Sequence, residues 1–70
     1  MARKLTYTAA DWDLIAGKVD AGDDLYNQLK DAAQEADEWE DAITVELDED
    51  EAEAVERTAL RLRISECDPW

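Results

Sequence analysis

Acidic residues and a helical apolar stripe occupy the same stretch of this 70-residue chain, and that coincidence limits what it can fold into more than any other feature. Between Asp20 and Glu56 stand sixteen Asp or Glu residues against one base, Lys30. Through the same stretch run Leu25, Leu29, Ala32, Ala36, Trp39 and Ile43, at alternating spacings of four and three. That spacing is the mark of one helix face. It predicts a long amphipathic helix over residues 23 to 43, not an acidic disordered segment.

Two other segments share a local pattern. Leu5-Thr6-Tyr7 and Val45-Glu46-Leu47 are short alternating runs, each followed by a capping residue with an acid three positions on: Thr8 with Asp11, and Asp48 with Glu51. Such pairs suit the orphan amides of a helix start. The order that follows is strand, helix, helix, strand, helix. The first helix is expected over residues 9 to 19, with Trp12, Ile15, Ala16 and Val19 on one face and Gly17 weakening it. Gly22 falls in a break suited to a helix-to-helix turn. The last segment has two readings. Ala52, Val55, Ala59 and Leu62 form a helical stripe, which favours helix to about residue 63; Leu60-Arg61-Leu62-Arg63-Ile64 alternates like a strand.

The expected fold class is therefore α+β, predominantly helical. One small acidic domain covers residues 1–65, with a polar C-terminal tail at 66–70. The core is thin, because twelve of the apolar residues are Ala. Self-repulsion at a net charge of -13 erodes it further. A homodimer, a partner or salt would compensate. No apolar run approaches the roughly 18 residues a membrane span needs. The first residues lack the apolar segment of a signal peptide, and a single Cys67 excludes an intramolecular disulfide. A cytoplasmic protein is expected.

The charge excludes some functions. A phosphate backbone needs Lys and Arg to displace its counterions, so direct nucleic-acid binding is not expected. The chain has no His, and Cys67 lies between Glu66 and Asp68, which disfavour its thiolate. No enzyme activity and no cofactor are expected. Asp48, Asp50 and Glu51 lack the central Gly and distal Glu of a calcium loop, so no metal site is expected either.

The positive reading rests on spacing. Asp24, Gln28, Asp31, Glu35 and Glu38 follow the four-three rhythm one residue ahead of the stripe, which is about 100° around the helix, so the row flanks the apolar face. A turn rises about 5.4 Å, so a carboxylate at each turn roughly approximates the interval between phosphates. Asp37, Glu40 and Asp41 widen the surface, and Asp48, Glu49 and Asp50 extend it toward the last helix. A solvated helix face is the ordinary explanation of such a row, but solvated faces usually mix signs to gain i,i+4 pairs, and this one does not. Among the aromatics, Trp12 and Trp39 are expected in the core. Tyr26 rims the core or is exposed, and Trp70 either folds back or anchors a partner. Arg57, Arg61 and Arg63 form a basic contrast near the end.

In size and charge the chain resembles the phage-encoded anti-restriction and anti-CRISPR proteins. That resemblance implies a non-enzymatic inhibitor, a DNA or RNA mimic that occupies the nucleic-acid-binding groove of a basic partner protein. The expected contact residues are Asp24, Asp31, Glu35, Glu38, Asp41, Asp48, Glu49, Asp50, Tyr26 and Trp70. Two other readings explain the same acids: a small dimeric interaction or regulatory module whose charge keeps it soluble, and adaptation to high salt, where repulsion is screened.

Overall fold

A computed structural model describes residues 2–19 and 22–66. The order is strand β1 (Arg3–Thr8), helix α1 (Ala9–Lys18), helix α2 (Asp23–Glu35), strand β2 (Ala42–Leu47) and helix α3 (Glu49–Arg61). This is the α+β, mostly helical arrangement that the sequence patterns predict.

The strands pair antiparallel, with Leu5 opposite Val45 and Tyr7 opposite Ile43. Successive strand side chains point to opposite faces, so Leu5, Tyr7, Val45 and Leu47 all enter the core. There they meet Trp12, Ile15 and Ala16 of α1, Leu25, Leu29 and Ala33 of α2, and Ala52, Val55 and Ala59 of α3. Trp12 sits at the centre. Its ring is fully buried and meets Tyr7 edge-on at 4.9 Å, and its indole N–H donates to the Ile43 carbonyl at 2.8 Å. On the outer face the Thr6 and Thr44 hydroxyls bond across the strands at 2.8 Å.

The start of α1 accounts for three of its orphan amides. Ala9 N–H donates to the Asp41 carbonyl at 2.9 Å, Ala10 N–H to the Trp39 carbonyl at 3.1 Å, and Asp11 N–H to Thr8 Oγ1 at 3.2 Å. The predicted Thr8 cap therefore forms. Asp48 is also an N-cap, but its side chain makes no cap bond.

The second helix is shorter than its apolar stripe predicts. It ends at Glu35, Ala36 is already extended, and residues 36–41 form a turn leading into β2. Two physical reasons account for this. Glu35, Asp37, Glu38, Glu40 and Asp41 would crowd the negative end of a longer helix, where α2 has no base in its last turn. The β-branched run Ile43-Thr44-Val45 gains more by pairing with β1. As a result Trp39, expected in the core, is 61% exposed. Ile43 stays partly buried, but as a strand residue.

The end of the chain resolves the two readings of residues 58–65 in favour of helix. Arg63 adopts a left-handed conformation (φ 59°), Arg63 N–H donates to the Leu60 carbonyl at 3.1 Å, and Ile64 N–H to the Ala59 carbonyl at 2.8 Å. This pair of bonds is a Schellman stop. It places Ile64 against the core and leaves Leu60 exposed. The alternation of residues 60 to 64 is therefore the last helical turn plus its cap. Glu66 then returns to β1, where its carboxylate accepts from Thr6 N–H at 3.0 Å. Trp70, like Cys67, lies outside the described residues.

Candidate functional site

A concave surface of the described residues runs beside β2. One depression of about 380 Å³ is lined by Gln28, Asp31, Ala32 and Glu35 of α2 and by Ile43, Thr44, Val45 and Glu46 of β2. A second, of about 400 Å³, shares Glu35 and Ile43 with the first and adds Ala36, Asp37, Asp41 and Ala42. A third, of about 240 Å³, shares Ala36 and Asp37 with the second and ends at Glu38 and Trp39. Together they make one shallow groove along the seam between α2, the turn at 36–41 and β2. Its apolar residues are Ala32, Ala33, Ala36, Trp39, Ala42, Ile43 and Val45. Its acids in the first two depressions are Asp31, Glu35, Asp37, Asp41 and Glu46. No base lines any of the three.

The groove's electrostatics follow from where the bases went. Among the described residues the ion pairs are Arg3 with Glu56, Lys30 with Asp13, and Arg57 with Glu53 at 2.9 Å. None involves a groove acid. Lys30 is the base nearest in sequence to the row, but it turns to α1, where the hydrogen bond to Asp13 raises its pKa above the ordinary lysine value. Its ammonium also lies 5.7 Å from the Tyr26 ring centre, within cation–π range. Lys18, Arg57 and Arg61 gather elsewhere, around a hollow of about 210 Å³ between α1 and α3. Lys18 and Arg61 there complement the C-terminal dipoles of their own helices.

The expected contact residues divide accordingly. Asp31, Glu35 and Asp41 line the main groove, and Glu38 stands at its Trp39 end. The Asp41 carboxylate also accepts from Glu38 N–H at 3.3 Å, which steadies the turn. Asp24 is exposed in the first turn of α2, outside the groove lining, where it suits the helix dipole. Asp48 caps α3, and Glu49 and Asp50 fill its first turn; they are exposed but do not line the groove. Tyr26 is 42% exposed. The even carboxylate row expected over residues 24 to 38 does not form as one helical ladder, because the helix stops at Glu35.

Two residues the sequence reading did not assign to the site belong to it. Glu46 was legible in principle: once Ile43, Val45 and Leu47 alternate inward, Thr44 and Glu46 must face out. Trp39 was not, because its helical spacing with Leu25 and Leu29 made it look like core.

Comparison with protein-family models, curated proteins and solved structures finds no match. Among the described residues no helix is long and apolar enough to cross a membrane, and no group of three or more His, Cys, Asp or Glu is placed to hold a metal ion.

Proposed function

We propose that this is a non-enzymatic acidic binding protein that occupies a basic, nucleic-acid-binding surface of a partner protein and blocks it. One observation carries the reading: a continuous groove holds five carboxylates and no base, while Arg3, Lys30 and Arg57 form ion pairs with acids elsewhere. Holding like charges together costs stability unless something of opposite sign meets them. Such a surface attracts a basic partner over long range and speeds encounter, with an on-rate that falls as salt rises. Charge alone gives little selectivity. The exposed Trp39 at the end of the groove, a residue type enriched at binding hot spots, supplies an apolar anchor.

The test is capture of partners from the native host by wild type and by the variant Asp31→Lys/Glu35→Lys/Glu38→Lys, at low and molar salt. The proposal expects salt-sensitive capture of a nucleic-acid-binding protein by wild type, and its loss in the variant with the helical circular dichroism unchanged. Equal capture by both would refute it.

A further inference from the structure

The acidic groove runs along a sheet edge that the fold leaves open, and the register identifies which backbone groups face it. Ala9 N–H bonds the Asp41 carbonyl across the extension of the ladder, which makes the odd pairs of β1 and β2 the hydrogen-bonded ones. The even pairs, Lys4 with Glu46, Thr6 with Thr44 and Thr8 with Ala42, must then turn their N–H and C=O groups outward. Two bonds agree: Thr6 N–H points away from β2 to Glu66, and the Glu46 carbonyl points away from β1 to Gln28 Nε2 at 3.1 Å. The two edges are thus finished differently. Residues 64–66 return to the β1 edge, where Glu66 takes the Thr6 amide. At the β2 edge Gln28 takes one carbonyl, and among the described residues nothing bonds the Thr44 amide or carbonyl.

We infer that the β2 edge is a docking slot for an extended, Lys- or Arg-bearing segment of the partner, which adds to the sheet as a third strand beside Ala42, Thr44 and Glu46. An added strand bonds its backbone to an exposed edge and places alternate side chains on either side. Here those side chains meet Asp31 and Glu35 from α2, Asp37 and Asp41 from the turn, and Glu46 from β2. The slot follows five residues of β2, about 16 Å of extended chain. The same carboxylates decide the occupant. A second copy pairing edge to edge would bring two such sets together, and like charge across a strand pair is destabilising. A basic extended segment reverses that term.

This inference rests on the reading that the partner is basic, and it adds how the partner is held. The probe is a synthetic ten-residue peptide alternating Lys with Val, compared with the same peptide N-methylated at alternate residues on the pairing edge. Both carry the same charge, but the methylated one cannot donate to β2. Titration of the full chain, followed by amide resonances, should move Ala42, Thr44 and Glu46 most with the first peptide. The methylated peptide should bind about tenfold or more weaker, the effect of losing two or so net hydrogen bonds. Equal affinity of the two peptides, or shifts centred on Asp48, Glu49 and Asp50, would overturn strand addition. The proposal of a basic partner would survive that result, since it is decided separately by the charge-reversed variant. Retained capture by that variant would remove the basis of both.

Discussion

Two tryptophans with similar sequence settings have opposite fates. Trp12 and Trp39 both fall on apolar stripes, yet Trp12 is fully buried and Trp39 is 61% exposed. The difference is made by partners distant in sequence. Trp12 gains Tyr7 from β1 and the Ile43 carbonyl from β2, whereas the Trp39 backbone is taken by Ala10 N–H, which fixes the turn and leaves its ring outside. Neither contact is visible in local spacing, which is why the spacing assigns both rings to the core and only Trp12 lies there. Trp12→Ala should cost about 3–5 kcal/mol, enough to unfold a small domain. Trp39→Ala should change stability by no more than about 0.5 kcal/mol while weakening partner binding at least tenfold. Chemical denaturation and a binding isotherm on the same variants check both halves. Tyr7 supplies a pH test at the same scale. Burial, and then the nearby Glu66, Glu56 and Asp11 carboxylates, raise its pKa above the ordinary tyrosine value. The folded state therefore holds the phenol proton longer than the unfolded chain does. Its contribution is complete below the unfolded value of about 10 and is lost as pH climbs through the folded one. Denaturation midpoints should fall above about pH 10, and Tyr7→Phe should flatten that fall.

At the scale of elements, the strands and all three helix starts were legible because local chemistry marks them. Thr8 followed by Asp11, Gly22 ahead of two Asp residues, and Asp48 ahead of three acids each satisfy the positive end of a helix. The ends were harder to read. α2 stops because acids accumulate where its dipole is negative and because β1 recruits the following residues, a competition that spans the chain. α3 stops in a Schellman turn built on Arg63, a residue without glycine's ease at positive φ. Of the five groove carboxylates, Asp31 and Glu35 therefore stand on α2, and Asp37, Asp41 and Glu46 belong to a turn and a strand. Gly17 offers a clean test of element stability. It is exposed within α1, does not have positive φ, and an added Cβ would meet nothing within 4 Å. Gly17→Ala should stabilise the fold by about 0.5–1 kcal/mol, measured as a higher denaturant midpoint at unchanged slope.

For the whole molecule, charge and packing pull in opposite directions. The radius of gyration is 10.7 Å, close to the roughly 11 Å of a folded chain of this length. One core cluster draws on every strand and helix, and among the described residues no buried side-chain polar atom lacks a partner. That core should hold the fold at low salt despite the net charge of -13. Added salt should then raise the melting temperature steadily by screening repulsion. A chain unfolded at low salt would instead favour adaptation to brine as the explanation of its acids. The segregation of charge matters more than its total. Among the described residues Arg3 and Lys30 pair across elements, Arg57 pairs within α3, and Lys18 and Arg61 complement helix ends. Lys4 stands opposite Glu46 in the strand pair; the other groove acids face no base in an ion pair. The decisive measurement is competition: the captured nucleic-acid-binding partner is loaded with labelled nucleic acid and titrated with this protein at low salt. Release of the label in step with binding, absent for Asp31→Lys/Glu35→Lys/Glu38→Lys, is the predicted result. A stable complex of all three components would contradict the account.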